Sequence, residues 1–246
     1  MTAPYWLNPL AKTDFPDIDL ALQDPDGLLA IGGDLSIERL CTAYQSGIFP
    51  WYSEGQPILW WSPDPRMVLY PDEVKISRSL LKKIRKNIFT VTIDKAFAEV
   101  IRACAEPRVQ QQETWILSEM QEAYIKLHKA GIAHSIECWQ EDRLVGGLYG
   151  VAIGKVFFGE SMFSRVSDAS KVAFVYLARQ LQQWEFKIID CQVYSSHLES
   201  LGARLIPRKQ FKAILQENIR ETPRPINWTI DPGLTINQVL QRSDPS

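Results

Sequence analysis

Between residues 134 and 163 the chain reads as three strand-length runs, 134–140, 143–153 and 155–163, separated only by Glu141-Asp142 and by Gly154. Turns that short force neighbouring strands to run antiparallel, so the three form a meander. A long helical stripe follows over about residues 168–184, with Val172, Ala173, Tyr176, Leu177, Gln180 and Leu181 on one face. Residues 187–193 then return as a strand. Three strands, helix, strand, helix, strand is the order of a mixed sheet flanked by helices, an α/β layer of the α+β kind.

The segments before the meander are shorter. Ser36 caps a helix whose apolar residues Ile37, Leu40, Cys41 and Tyr44 fall at i, i+3, i+4 and i+7, and Gly47 stops it. Gly32-Gly33-Asp34 lacks the Lys-Ser/Thr ending of a phosphate loop and reads as a turn. Pro63 and Pro65 forbid continuous helix and mark a stiff connector, so a small N-terminal α/β domain is expected over 1–63 and a larger one over 64–222. Within the larger one the pattern predicts a helix over 78–86 capped by Ser77, a strand over 88–93, a helical stripe through Phe97, Val100, Ile101 and Cys104, and a helix opened by a capping box at Ser118 and Gln121. The residues after 222 are broken by Pro223, Pro225 and Pro232 and read as a loosely packed extension, 223–246.

No apolar run among the 246 residues approaches the roughly 20 needed to cross a bilayer. The opening residues have no basic stretch followed by an apolar one, so a cytoplasmic protein without membrane partners is expected. Cys41, Cys104, Cys138 and Cys191 are scattered, and His128, His134 and His197 show no ligand spacing, so neither metal site nor disulfide framework is expected. The net charge of −2 argues against a general nucleic-acid coating protein but hides one local cluster. Lys75, Arg78, Lys82, Lys83, Arg85 and Lys86 occur without an intervening acid. On a helix Arg78, Lys82, Arg85 and Lys86 share one face while Leu81, Ile84 and Ile88 turn inward, a stripe suited to a phosphate backbone.

Two further places invite chemistry. Asp190 and Gln192 lie two apart on a predicted strand and therefore point to one face. Glu160 sits among Phe157, Phe158, Met162 and Phe163, where an unpaired carboxylate is costly, so something cationic should meet it, an arginine of the chain or a substrate.

Seven words in order resemble the leucyl/phenylalanyl-tRNA–protein transferase family: residues 27–36 (GLLAIGGDLS), 47–51 (GIFPW), 59–66 (LWWSPDPR), 134–137 (HSIE), 146–150 (GGLYG), 159–164 (GESMFS) and 189–192 (IDCQ). The resemblance implies a small domain packed on an N-acetyltransferase-like domain, catalysis without metal or organic cofactor, and transfer of Leu or Phe, with Met as a further acyl group. The donors it implies are leucyl-tRNA and phenylalanyl-tRNA, and the acceptor is the α-amine of proteins beginning with Arg or Lys, which the added residue marks for degradation as an N-degron. It assigns Asp190 and Gln192 to the reaction centre, and Glu160 to the substrate, either the acceptor's basic side chain or the aminoacyl ammonium. Trp51 and Trp115 become contacts for the terminal adenosine, where an indole can stack on a base. Recognition of Leu and Phe then asks for an apolar pocket, which Leu148, Phe157, Met162, Phe174, Leu181 and Ile189 are placed to line.

An acetyl-CoA-dependent N-acetyltransferase would share the fold class. Such enzymes hold a pyrophosphate on a glycine-rich turn between the last meander strand and the long helix. Here that turn is Ser164-Arg165-Val166-Ser167-Asp168-Ala169, without glycine, so acetyl-CoA is not expected as a partner.

Overall fold

The computed structural model describes residues 3–10, 14–107, 116–221, 227–231, 234 and 239. The fold is a mixed α/β one with two sheets. Strands β1 (Tyr5–Leu7), β2 (Leu28–Gly32), β3 (Phe49–Pro50) and β4 (Leu59–Trp61) form the smaller sheet in the order β1-β2-β4-β3. Strands β5 (Arg66–Leu69), β6 (Thr90–Ile93), β7 (Ala133–Gln140), β8 (Arg143–Ile153), β9 (Val156–Ser164), β10 (Ile188–Gln192) and β11 (Arg204–Ile206) form the larger, in the order β11-β5-β10-β9-β8-β7-β6. The helices are α1 (Ile37–Gln45), α2 (Arg78–Arg85), α3 (Phe97–Ala105), α4 (Ser118–Lys129), α5 (Ala169–Gln183), α6 (Ser196–Glu199) and α7 (Arg208–Asn218).

The β7-β8-β9 meander, the long helix α5 and the return strand β10, parallel to β9, follow the predicted order. Because strand side chains alternate, β9 sends Val156 and Phe158 into one core with α1, α3 and α4, and Phe157 into the other with α5. The smaller sheet packs into the first of these cores through Leu29, Ala30, Phe49 and Trp60, so one apolar mass joins both sheets. Helix α5 comes close to β8 because Gly146 lacks a side chain: a Cβ there would lie 2.6 Å from the Cβ of Ala169.

Several local expectations need correction. Ser118 does not cap α4; Leu117 holds that position, and the Gln121 amide reaches back to the Ile116 carbonyl at 3.2 Å instead. On α2 the inward residues are Leu80 and Ile84, while Ile88 beyond its end is exposed and Phe89 takes the buried place. Leu81, expected inward, is only half-buried, and Phe89 replaces Ile88 because the helix ends at Arg85 and Asn87 turns left-handed at φ 50°, which resets the phase beyond it. The described residues after 222 are not loose: Trp228 stacks on His134 with centroids 3.7 Å apart, the Asp231 amide donates to Gln180, and Leu234 and Val239 are buried.

The Gly32-Gly33-Asp34 turn is a scaffold for α1. Asp34 accepts from the Ser36 amide and from Arg39 Nε, and Ser36 Oγ accepts from the Arg39 amide as the N-cap. The His134–Glu137 word is likewise structural. His134 Nδ1 meets Asp94 at 2.7 Å, and the buried Glu137 carboxylate accepts from Thr92, Ser135 and the amides of Lys95 and Ala96. Glu137 thereby caps α3, whose N-cap residue Ala96 has no side-chain acceptor.

Candidate active site

Strands β9 and β10 are paired in parallel only as far as Phe158 and Asp190. Beyond that point they part, and a cavity of about 730 Å³ opens between the continuation of β9 and the segment after β10, roofed by α5. Both strands are irregular where they part. The β8–β9 register passes from Gly150↔Gly159 to Tyr149↔Ser161, leaving Glu160 unpaired as a bulge. At Gly150 no side chain would fit, since a Cβ there would collide with the Phe158 carbonyl oxygen and lie 2.6 Å from the Phe157 ring. The β5–β10 register passes from Asp190↔Val68 to Gln192↔Met67, skipping Cys191.

That second bulge alters the expected arrangement of Asp190 and Gln192. Gln192 has φ +64°, a left-handed conformation, so the two side chains do not share a strand face. Asp190 is fully buried and does not line the cavity. Its carboxylate takes both arms of Arg66, at 2.9 and 2.7 Å, and also the Gln192 backbone amide at 2.9 Å. Arg66 lies between the Phe49 and Phe211 rings, 4.8 and 4.7 Å from their centroids. Gln192 faces the cavity and donates through Nε2 to Glu160 Oε1 at 2.7 Å. The geometry therefore separates the pair into a buried clamp and an amide that faces the cavity.

Glu160 is met by hydroxyls, not by an arginine. Tyr44 on α1 donates to Oε1 at 2.8 Å and Tyr124 on α4 to Oε2 at 2.9 Å. Burial raises its pKa to about 7, against the lowering effect of the Tyr44, Tyr124 and Gln192 hydrogen bonds and with a smaller upward push from Asp190. Burial and the Glu160 charge hold the Tyr44, Tyr124 and Tyr149 phenols well above their ordinary range.

Leu148, Phe157, Met162, Phe174 and Ile189 line the apolar part of the cavity. Leu181 does not. It is buried in the α5 core, and Leu177, one turn nearer the opening, takes the place it was expected to fill. Trp51, 44% exposed, stands at the edge, its carbonyl accepting from Trp61 Nε1 at 2.6 Å. Trp115 lies outside the described residues. On the far side Val193, Ser195, His197 and Leu198 complete the wall.

On α2, Arg78, Lys82 and Arg85 are exposed, as is Lys86 at its C-cap. Lys83 is committed elsewhere: its ammonium pairs with Asp168 at 2.6 Å and donates to the Ser167 carbonyl and hydroxyl. The acid missing from the local sequence is supplied by the turn before α5, and it ties α2 to that helix.

Sequence reasoning passed over Tyr44, Tyr124, Arg66 and Leu177. Tyr44 and Tyr124 were readable as buried stripe residues whose hydroxyls need partners. Nothing local marks Arg66 as the partner of a residue 124 positions away.

A mixed α/β fold whose parting strands expose an amide and a raised carboxyl beside an apolar cavity is the equipment of a group-transfer enzyme. The family model described as leucyl/phenylalanyl-tRNA protein transferase matches residues 68–216, and the model of that family's N-terminal domain matches 33–64. The leucyl/phenylalanyl-tRNA–protein transferase of Cellvibrio japonicus is 56% identical over 230 residues, 92% of this chain and 97% of its own. That of Nitrosomonas europaea is 60% identical over 207 residues, 84% of this chain and 88% of its own. The chain belongs to the leucyl/phenylalanyl-tRNA–protein transferase family and is an aminoacyltransferase. Among solved structures, L-PGS from Bacillus licheniformis matches 68% of this chain and 54% of its own with a TM-score of 0.40 at 11% identity, too distant to inform the site. No helix among the described residues is long and apolar enough to cross a membrane.

Proposed function

We propose that this chain moves leucine or phenylalanine, with methionine as a further acyl group, from tRNA to the α-amine of proteins beginning with Arg or Lys, marking them for degradation. The observation that carries the reading is the apolar cavity opening directly beside Gln192 and Glu160, where an acyl side chain and a polar reacting centre fit together. The ester that joins an amino acid to tRNA is already activated, and an N-terminal amine with a pKa of roughly 7.7–8.0 is partly neutral near pH 7. The work left is orientation and the handling of one proton. Leu148, Phe157, Met162, Phe174, Leu177 and Ile189 receive the side chain, Gln192 contacts the amine or the ester carbonyl, and Trp51 offers an indole face to the terminal adenosine.

Acetyl-CoA is disfavoured as the acyl donor. The turn before α5 presents the Asp168 carboxylate, held ionised below its usual range by Lys83 and Lys171, where a pyrophosphate would need empty amides. One of those amides, from Ser170, is already taken by Ser164 Oγ at 3.2 Å. Incubation with leucyl-tRNA and a peptide beginning with Arg should yield the peptide extended by leucine, while acetyl-CoA should yield no acetylated peptide. Acetylation in place of leucylation would reverse the assignment.

We place the tRNA backbone on Arg78, Lys82, Arg85 and Lys86, with Lys83 reserved for Asp168. Changing Lys82, Arg85 and Lys86 to Glu should weaken charged-tRNA binding and reduce its log–log salt slope by about one for each phosphate no longer neutralised. Unchanged binding by the folded variant would move the tRNA site off α2.

A further inference from the structure

Tyr44 Oη, Tyr124 Oη and the Glu160 carboxylate touch pairwise. The phenols lie 2.8 and 2.9 Å from Oε1 and Oε2, and the two phenol oxygens are in direct hydrogen-bond contact with each other. Each hydrogen bond uses one proton, so three contacts need three. The phenols own two. With Glu160 ionised, both phenols donate to it and their oxygens face each other with no proton between them. With Glu160 protonated, the acid donates to one phenol, that phenol to the other, and the second back to the carboxyl, while Gln192 Nε2 still donates to Oε1. Every one of the three contacts then holds a proton.

We propose that Glu160, Tyr44 and Tyr124 form one proton-sharing ring that takes up the proton which the acceptor's α-ammonium must lose before its nitrogen can attack. This rests on the function proposed above. The acceptor arrives as an ammonium, and the Glu160 carboxylate takes one proton from it and closes the ring. The neutral nitrogen then attacks the ester carbonyl carbon. A C–N bond forms, the C–O bond to the ribose breaks, and one of the two remaining N–H protons passes to the departing oxygen. One proton stays on Glu160 and returns to water before the next turnover. The aminoacyl group's own amine has no proton it must lose, so a group poised to exchange one serves the acceptor.

The neighbours leave the ring this task. Tyr149 on β8, with Cys104 of α3 beside it, is a neutral phenol on the same face. Asp190 on β10 is bound by Arg66 of β5. Cys191, its thiol pushed up by burial, and His197 line the cavity, and Glu106 pairs with Arg165 at the rim. Among the described residues no arginine or lysine is paired with Glu160 that would keep it ionised, and its midpoint near 7 lies close to that of an N-terminal amine at roughly 7.7–8.0.

An infrared pH titration of the whole enzyme without substrate, wild type minus Glu160→Gln, tests the ring directly. The carboxylic-acid band lost in the variant should titrate well above the free-glutamate value of about 4.3. Its midpoint should rise further in Tyr124→Phe, which removes a donor to the carboxylate. Melting temperature gives a second reading. The native state holds a proton that the unfolded state releases, so wild type should lose stability relative to Glu160→Gln as pH rises from 4.5 to about 7. In transfer from leucyl-tRNA, Glu160→Gln should lower kcat and abolish the rise of rate through that midpoint, with little change in the peptide KM. A midpoint near the free value, or one indifferent to Tyr124→Phe, would overturn the ring. A variant altered only in peptide KM would overturn it too and make Glu160 a charge contact. Failure of wild type to extend an Arg peptide, with the titration intact, would instead remove the proposed function.

Discussion

Replacing Gln192 by alanine should lower transfer turnover by on the order of 10²–10³, the range for loss of one preorganised donor, while thermal stability changes little. The amide is held from two sides: its Nε2 by Glu160, its backbone amide by Asp190. A donor fixed before the reaction acts mainly in the transition state, so the loss should fall on kcat more than on the KM for charged tRNA. Gln192→Glu should also be slow, because a second carboxylate 2.7 Å from Glu160 cannot donate to it when ionised. Single-turnover rates with leucyl-tRNA measure both. Wild-type turnover in Gln192→Ala would leave orientation of the two substrates as the enzyme's whole contribution.

Arg66→Ala should destabilise the protein by about 3–5 kcal/mol, because it leaves the fully buried Asp190 carboxylate without its partner. Asp190→Ala should cost a comparable amount for the converse reason. The double replacement Arg66→Met with Asp190→Leu separates folding from function. It removes both charges, so denaturant midpoints should recover toward wild type, as they do when buried pairs are exchanged for apolar residues. Turnover should not recover, because the Gln192 amide has lost the acceptor that fixes its left-handed turn. Recovery of both would reduce the clamp to a device of stability. Asp190 itself does not line the cavity, and loss of turnover without loss of stability would make it a positioning residue for Gln192.

Much of the fold was readable because it rests on local periodicity. The meander, α5 and β10 follow from alternation, two-residue turns and a 3.6-residue stripe. What escaped depends on register. One skipped residue at Cys191 and the positive φ of Gln192 undo the parity that put Asp190 and Gln192 on a common face. Leu181 continues the stripe of Phe174 and Leu177, but a helix advances about 1.5 Å per residue, and four residues carry it past the cavity. Lys83 looked like one more phosphate ligand until Asp168, 85 positions on, came to meet it. Glu160 was recognisable as a carboxylate in need of a partner, but its apolar setting pointed to a cation. The structure meets it with two phenols and an amide, which donate hydrogen bonds and bring no charge of their own.

The central claim is that the transferred side chain enters the cavity between the parted strands, with its ester beside Gln192. A crystal structure with a phenylalanyl-adenosine whose ester is replaced by an amide tests this most directly. The expected result places the phenyl ring among Leu148, Phe157, Met162, Phe174, Leu177 and Ile189, the carbonyl within hydrogen-bond reach of Gln192 or its bound neighbours, and the adenine toward Trp51. A phenyl ring bound outside that cavity, or an acyl carbonyl remote from both Gln192 and Glu160, would contradict it.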